Sequence, residues 1–206
     1  MERTAAIVFV MSMLVSGASF AEDVSYTYVR LAYVNTEIDV GPANFDGDGL
    51  ELDGSFGFAN NAFVFGTYSD LDFDFGVSAS LLEIGGGYHH RIMPKLDLIG
   101  RLGYVRADVD TSFGGGDDDG LLLSGGVRSR ITDSIEGRAA LNIRTLDSGA
   151  NDTELDLGGD YFVTNRITVG IGLRLGDDAT TWLLGGRYNF GDQQRNVGGQ
   201  RQASNR

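Results

Sequence analysis

His89 and His90 are the only histidines in the 206 residues, and they stand side by side. An imidazole near neutral pH can serve as general base or metal ligand. Neighbours on an extended chain point to opposite sides, so these two cannot hold one ion together if they lie on a strand. The run that contains them, GGGYHH, is glycine-rich. It is followed by no helix whose N-terminus could receive a phosphate. In FDGDGLELDG, Asp46-x-Asp48-Gly49 imitates positions 3, 5 and 6 of a calcium loop. The bidentate glutamate that such a loop needs at its last position falls on Ser55. Asp46, Asp48, Asp117, Asp118 and Asp119 remain as weak divalent-cation candidates, on the affinity of carboxylates for hard cations. The chain has no cysteine, hence no thiolate metal site and no disulfide. No cofactor is expected.

A second constellation is larger. Arg30, Glu51, Asp53, Glu83, Asp97, Arg101, Arg128, Arg130, Glu136, Arg138, Arg144, Glu154, Asp156, Asp160, Arg174 and Arg187 divide into eight acids and eight bases. Each occupies the alternate slot in a stretch whose other slots are apolar. Arginine outnumbers lysine fifteen to one. A confined interior favours arginine, whose planar fork pairs bidentately with carboxylates; a GC-rich genome would produce the same bias.

These charges are placed by strands. Beyond residue 21 the chain shows period-two alternation and no sustained helical period. Side chains two apart share one face of a strand. The apolar face reads Val29, Leu31, Tyr33; then Leu50, Leu52, Phe56, Phe58; then Phe63, Phe65; then Leu82, Ile84, Tyr88. It continues through Leu96, Leu98, Leu102, Tyr104; Leu121, Leu123, Val127; and Ile135, Ala139, Leu141, Ile143. Leu155, Leu157, Tyr161, then Ile167, Val169, Ile171, Leu173, and finally Trp182, Leu184, Tyr188, Phe190 complete it. The reading is about ten strands, each near the ~9–11 residues of a membrane-spanning strand; merging two weak runs would leave eight.

Tight turns (Asn60–Asn61, Met93–Lys95, Thr132–Ser134, Thr164–Arg166) alternate with longer acidic connections. That is the asymmetry of outer-membrane barrels, and an even strand count returns both termini to one side. The expected fold is therefore all-β: an up-and-down antiparallel transmembrane β-barrel. If the charged face met lipid, each arginine near the midplane would cost roughly 2–4 kcal/mol. Eight would exceed the ~5–15 kcal/mol stability of an ordinary domain, so in a membrane barrel this face must be the lumen. A soluble barrel with the reverse orientation survives that argument. The last strand favours the membrane: Trp182, Leu184, Tyr188 and Phe190 form an alternating run ending on an aromatic, like the assembly signal read by the barrel assembly machinery. A polar stretch, 191–206, follows and is expected to be a disordered periplasmic tail.

Residues 1–21 read as a Sec signal peptide, with Arg3, an apolar core from Ala5 to Val15, and small residues before Glu22. The barrel should occupy 22–190. Formal charge is −13, which argues against nucleic acid, because that affinity rests on basic residues. The outer connections and strand ends (37–48, 69–75, 106–119, 146–152, 176–179) carry sixteen acids and one base, Arg106. Such a rim would approach the phosphates of lipopolysaccharide only with divalent cations between, or would simply be solvated. Arg106 shares a side with Tyr104 near that rim, where it would touch a lipid phosphate or end its strand.

An enzyme is not expected. Ten-stranded outer-membrane proteases resemble this architecture, but their histidine sits at the outer rim, whereas His89 and His90 adjoin the Met93–Lys95 turn. A barrel of ~8 strands is filled by its own side chains and one of ~16 leaves a channel, so ten strands with sixteen interior charges should be largely filled.

AEDVSYTYVRLAYVNTEID at the start of the expected mature chain resembles the sulfation-dependent quorum factor family of xanthomonad-type bacteria. FVFGTYSDLDFD, IGGGYHHRIMPKLDLIGRLGYVRADVD and GLRLGDDATTWLLGGRYNF are similar to later stretches of that family. The resemblance implies a small outer-membrane barrel that can be shed in vesicles, and a role as a secreted signal with a sulfated tyrosine. Tyr26 matches that tyrosine by position; as a structural residue it would lie on a strand or at the interface near the periplasmic edge. Three roles stay open: a structural envelope barrel, a narrow cation-preferring pore, and a surface or vesicle-borne signal or adhesin.

Overall fold

In a computed structural model of the chain, the structure describes residues 24–40, 43–59, 61–112 and 114–190. The expected signal peptide and polar tail lie outside them. Ten antiparallel strands form one closed barrel: β1 (Tyr28–Val40), β2 (Ala43–Gly57), β3 (Ala62–Phe73), β4 (Val77–Met93), β5 (Leu96–Thr111), β6 (Gly114–Thr132), β7 (Ile135–Leu146), β8 (Asn151–Phe162), β9 (Ile167–Leu175) and β10 (Ala179–Asn189). Each pairs with its sequence neighbours, and β10 closes on β1 from Tyr28↔Asn189 to Ile38↔Ala179. The count is ten, not eight. Closure leaves no strand edge unpaired, which is what a sheet surrounded by hydrocarbon requires.

Alternation is executed around the wall. Leu31, Leu52, Leu102, Leu121, Ile171 and Leu184 stand outward, more than half exposed. Trp182, Tyr188 and Phe190 share that outer surface, with the last two rings edge to face at 4.9 Å. Leu96, Val127 and Ala139 have the outward parity but shield one another in a small cluster.

One run has the opposite sense from that expected. Phe63 and Phe65 are buried inside the barrel, and Val64 and Tyr68 face outward. AFVF is apolar in both phases, so its own pattern cannot choose a side. The register chooses: Val64 pairs with Phe56 and Tyr68 with Leu52, both outward residues of β2. The glycine run 85–87 answers to the same rings. A Cβ on Gly87 would overlap the Phe63 ring, one on Gly85 the Phe65 ring, and Gly103 lies against Phe65 as well.

The long connections prove to be mostly ladder. Pairing between β5 and β6 continues from Asp108↔Asp117 to Thr111↔Gly114, and between β1 and β2 as far as Val40↔Ala43. Backbone donors and acceptors beyond the apolar belt still need partners, and continuing the hairpin supplies them. Gly76, Gly114 and Gly149 take positive φ in three of these connections, a conformation open to glycine.

Candidate functional site

The barrel interior gathers eight acids and eight arginines, in layers along its axis. At the end holding both chain ends, residues 24–27 precede β1 and tuck inward. Tyr26 is buried there, rather than on a strand or at an interface. Its ring lies on His89, with centroids 3.8 Å apart and planes 9° apart, and stacks on Phe63 at 5.1 Å. Its hydroxyl donates to Asp97 at 3.1 Å. Asp97, fully buried, also accepts from Arg91 at 3.1 Å. His89 Nδ1 stands 3.7 Å from it, while His90 is exposed on the other face.

Beside this cluster, Glu136 receives Arg128 at 2.7 Å and Arg187 at 2.8 Å, with Arg130 at 4.0 Å. Asp160 binds Arg30 at 3.0 Å, Arg138 at 3.2 Å and Arg187 at 3.6 Å. Aromatic faces take up the remaining cation surface: Arg130 lies 3.4 Å over Phe162, and Arg128 and Arg187 each lie 5.4 Å from the Tyr28 ring. A guanidinium over a ring face and beside a carboxylate recovers part of the desolvation cost of its burial.

Above this plug lies a cavity of about 110 Å³, lined by Arg30, Asp53, Arg101 and Arg138 among others. It has room for a few waters. Arg101 binds neutral partners there, Ser124 at 3.2 Å and Asn142 at 3.0 Å, and lies 5.1 Å over Phe65. Among the described residues Asp53 has no cation within 4.0 Å.

A second ionic layer roofs the cavity. Arg174 forks onto Glu51 with two bonds of 2.7 Å and reaches Asp156 at 3.4 Å and Glu154 at 3.9 Å. Arg138 stands 3.5 Å from Asp156. Arg144 binds Glu83 at 2.7 Å, Asp152 at 2.8 Å and Glu154 at 3.4 Å. All sixteen charges proposed for the interior thus lie on inward strand positions, and fifteen have a polar partner. Asp152 belongs to the layer although its sequence position suggests an outer loop. Alternation with Tyr88 and Tyr161 puts His89 and Phe162 on the inward phase, but nothing in the local pattern marks them, or Tyr26, as members of the network.

The interior is not uniformly polar. Val105 and Leu122 pack with Phe63 and Phe65, and Ala32, Val34 and Leu183 form a separate apolar group. Val105, Leu122, Ala32, Val34 and Leu183 occupy slots assigned wholesale to the polar face.

Outside, Arg106 meets Asp108 at 3.2 Å, Asp117 at 3.0 Å and Asp119 at 3.7 Å, and the Tyr104 hydroxyl bonds Asp119. The divalent-cation candidates do not assemble. Asp117 and Asp119 turn to Arg106, Asp118 accepts from the Ser148 amide, and Asp46 and Asp48 lie on β2. Among the described residues no group of three or more carboxylates or histidines could hold a metal ion.

No protein-family model and no curated protein matches the chain. Among solved structures it is similar to Ail, the attachment invasion locus protein of Yersinia pestis, at 16% identity and TM-score 0.43, over 81% of this chain and 99% of that one. It is similar to the outer membrane protein OprG from Pseudomonas aeruginosa at 11% identity and TM-score 0.45, over 84% and 100%. The beta domain of the Bordetella autotransporter BrkA gives 15% identity and TM-score 0.46, over 81% and 100%. At these scores the likenesses carry no weight on function.

Proposed function

We propose that the chain is an integral outer-membrane β-barrel with a structural role in the envelope, anchored by its apolar wall and presenting an acidic rim. The observation that carries this reading is the pairing of an outward apolar belt with an inward ionic network on one closed sheet. A water-soluble protein rarely exposes a contiguous apolar patch above a few hundred Å², and this belt encircles the barrel. Hydrocarbon accepts the belt, and the arginines escape lipid by facing one another.

Trp182, Leu184, Tyr188 and Phe190 serve as the signal for the barrel assembly machinery, and residues 1–21 direct export to it. The wall contacts outer-membrane lipid. The rim contacts lipopolysaccharide, with divalent cations shared between carboxylates and lipid phosphates rather than held in a site of the protein's own. Nucleic acid is not a partner, and catalysis is not part of the role. A narrow cation-preferring pore is the weaker reading, because the plug and the Glu51–Arg174 layer both stand across the axis. A signalling role through Tyr26 fares no better in the folded barrel, where that hydroxyl is buried against Asp97.

Purified protein in detergent should migrate differently on gels before and after boiling, and should be electrically silent in planar bilayers. Unchanged migration would refute the barrel reading, and steady cation conductance would replace the structural role with transport.

A further inference from the structure

The barrel end opposite Val24 and Phe190 is open, and its inner wall is mostly apolar, interrupted by Thr36, Ser69 and Thr181. Leu71, Ala79, Leu81 and Ala107 help to line a cup of about 300 Å³, with Val34 and Val105 fully buried behind Leu71 and Leu81. Its floor is the ionic layer, with Glu51, Arg144, Asp152, Glu154 and Arg174 in the lining. Nothing about spanning a membrane demands apolar residues here: the cup is inside the barrel and reachable by water. An apolar concavity ending on a few convergent polar groups is the usual form of a small-molecule site, and barrel mouths are a usual place for one.

The charges select the occupant. Three carboxylates and two guanidiniums line the floor. Arg174 is committed to Glu51 by a two-bond fork, and Arg144 is shared among Glu83, Asp152 and Glu154. The cations are therefore spent, and the surplus on the floor is negative. Asp152 is its most accessible member, with a side chain 47% exposed and one bond to Arg144. The acidic rim outside carries the same sign, and a cleft lined by one sign concentrates the opposite one.

We propose that this cup binds small amphiphilic cations: molecules with a compact apolar body, held by the wall of Leu71, Ala79, Leu81 and Ala107, and a protonated amine directed at Asp152. The site is blind, since the ionic layer and the plug lie beneath it, so it retains a ligand rather than passing it. This goes beyond the structural role and needs only that the barrel be folded.

The test uses full-length mature protein in lipid nanodiscs, with methyl and amide NMR shifts read against three probes of one shape: 2-phenylethylamine, 2-phenylethanol and 3-phenylpropanoate. The expected result is saturable shifts at Leu71, Ala79 and Ala107, with the amine at least ten-fold tighter than the other two. Asp152→Asn should remove that preference, and Ala107→Phe, which fills the cup, should abolish the shifts. Should Ala107→Phe fail to fold, as read by gel migration, Asp152→Asn carries the test alone. Equal binding of all three probes, shifts confined to outward residues such as Leu102 and Leu123, or no shifts at all would each overturn the proposal. Gel migration unchanged by boiling would instead count against the barrel reading, so the two failures are distinguishable.

Discussion

The phenol of Tyr26 lies flat against the imidazole of His89 on β4, 3.8 Å between centroids, while its hydroxyl is held by Asp97 on β5. Tyr26, two positions before β1, thus ties the segment 24–27 to β4 and β5 and closes that end of the barrel. Tyr26→Phe keeps the stack but removes a donor from a fully buried carboxylate. It should cost about 1–3 kcal/mol, the penalty of an under-satisfied buried group. Tyr26→Ala also empties an aromatic site and should cost about 3–5 kcal/mol. Urea unfolding of the refolded barrel measures both. Tyrosine nitration should spare Tyr26 in the folded protein while marking the outward Tyr88 and Tyr161.

The Glu51–Arg174 fork spans from β2 to β9 across the interior. Arg174→Met strands the buried Glu51 and should cost about 3–5 kcal/mol, as removal of one partner of a buried pair does. The double variant Glu51→Gln, Arg174→Met should recover much of that loss, because no lone charge remains. The same double variant unroofs the cavity beneath and should raise ion leakage in planar bilayers above the wild-type level. Additive losses in the double variant would mean that the two side chains do not act as a pair.

Gly87 leaves the space that the Phe63 ring fills. Gly87→Ala should cost about 1–3 kcal/mol through overpacking, and Phe63→Leu in the same chain should relieve part of it. Gly100→Ala, whose Cβ would meet nothing, is the control and should be near neutral. Equal effects at the two glycines would show that ring packing is not the cause.

How much of this was legible in the sequence depends on the phase of each run. Where one phase is apolar and the other polar or small, as in Leu50–Asp53 or Ile167–Arg174, alternation fixes the strand and separates its two faces, and the surrounding hydrocarbon decides which face turns inward. Where both phases are apolar, as in Phe63–Phe65, only pairing with a neighbouring strand decides. The sixteen interior charges were legible as a set because lipid excludes them, but their partners were not. Glu83 meeting Arg144 across 61 positions follows from closure of the sheet, which no local pattern encodes. The cup was hidden for a related reason: Val34, Ala79 and Ala107 share the inward phase with charged residues, and alternation marks which way a residue points, not what stands beside it.

On the outer wall, Leu102→Arg should cost roughly 2–4 kcal/mol if that position lies near the bilayer midplane, and less toward either interface. Unfolding in lipid vesicles reads the difference, and a neutral result at Leu102 would place it outside hydrocarbon.

The orientation of the sheet is tested most directly through Trp182, the only tryptophan in the chain and an outward residue, 55% exposed. In vesicles its emission should be quenched by lipids brominated along the upper acyl chain and be nearly indifferent to aqueous iodide. Strong quenching by iodide with no response to brominated lipid would place that face in water and contradict the account.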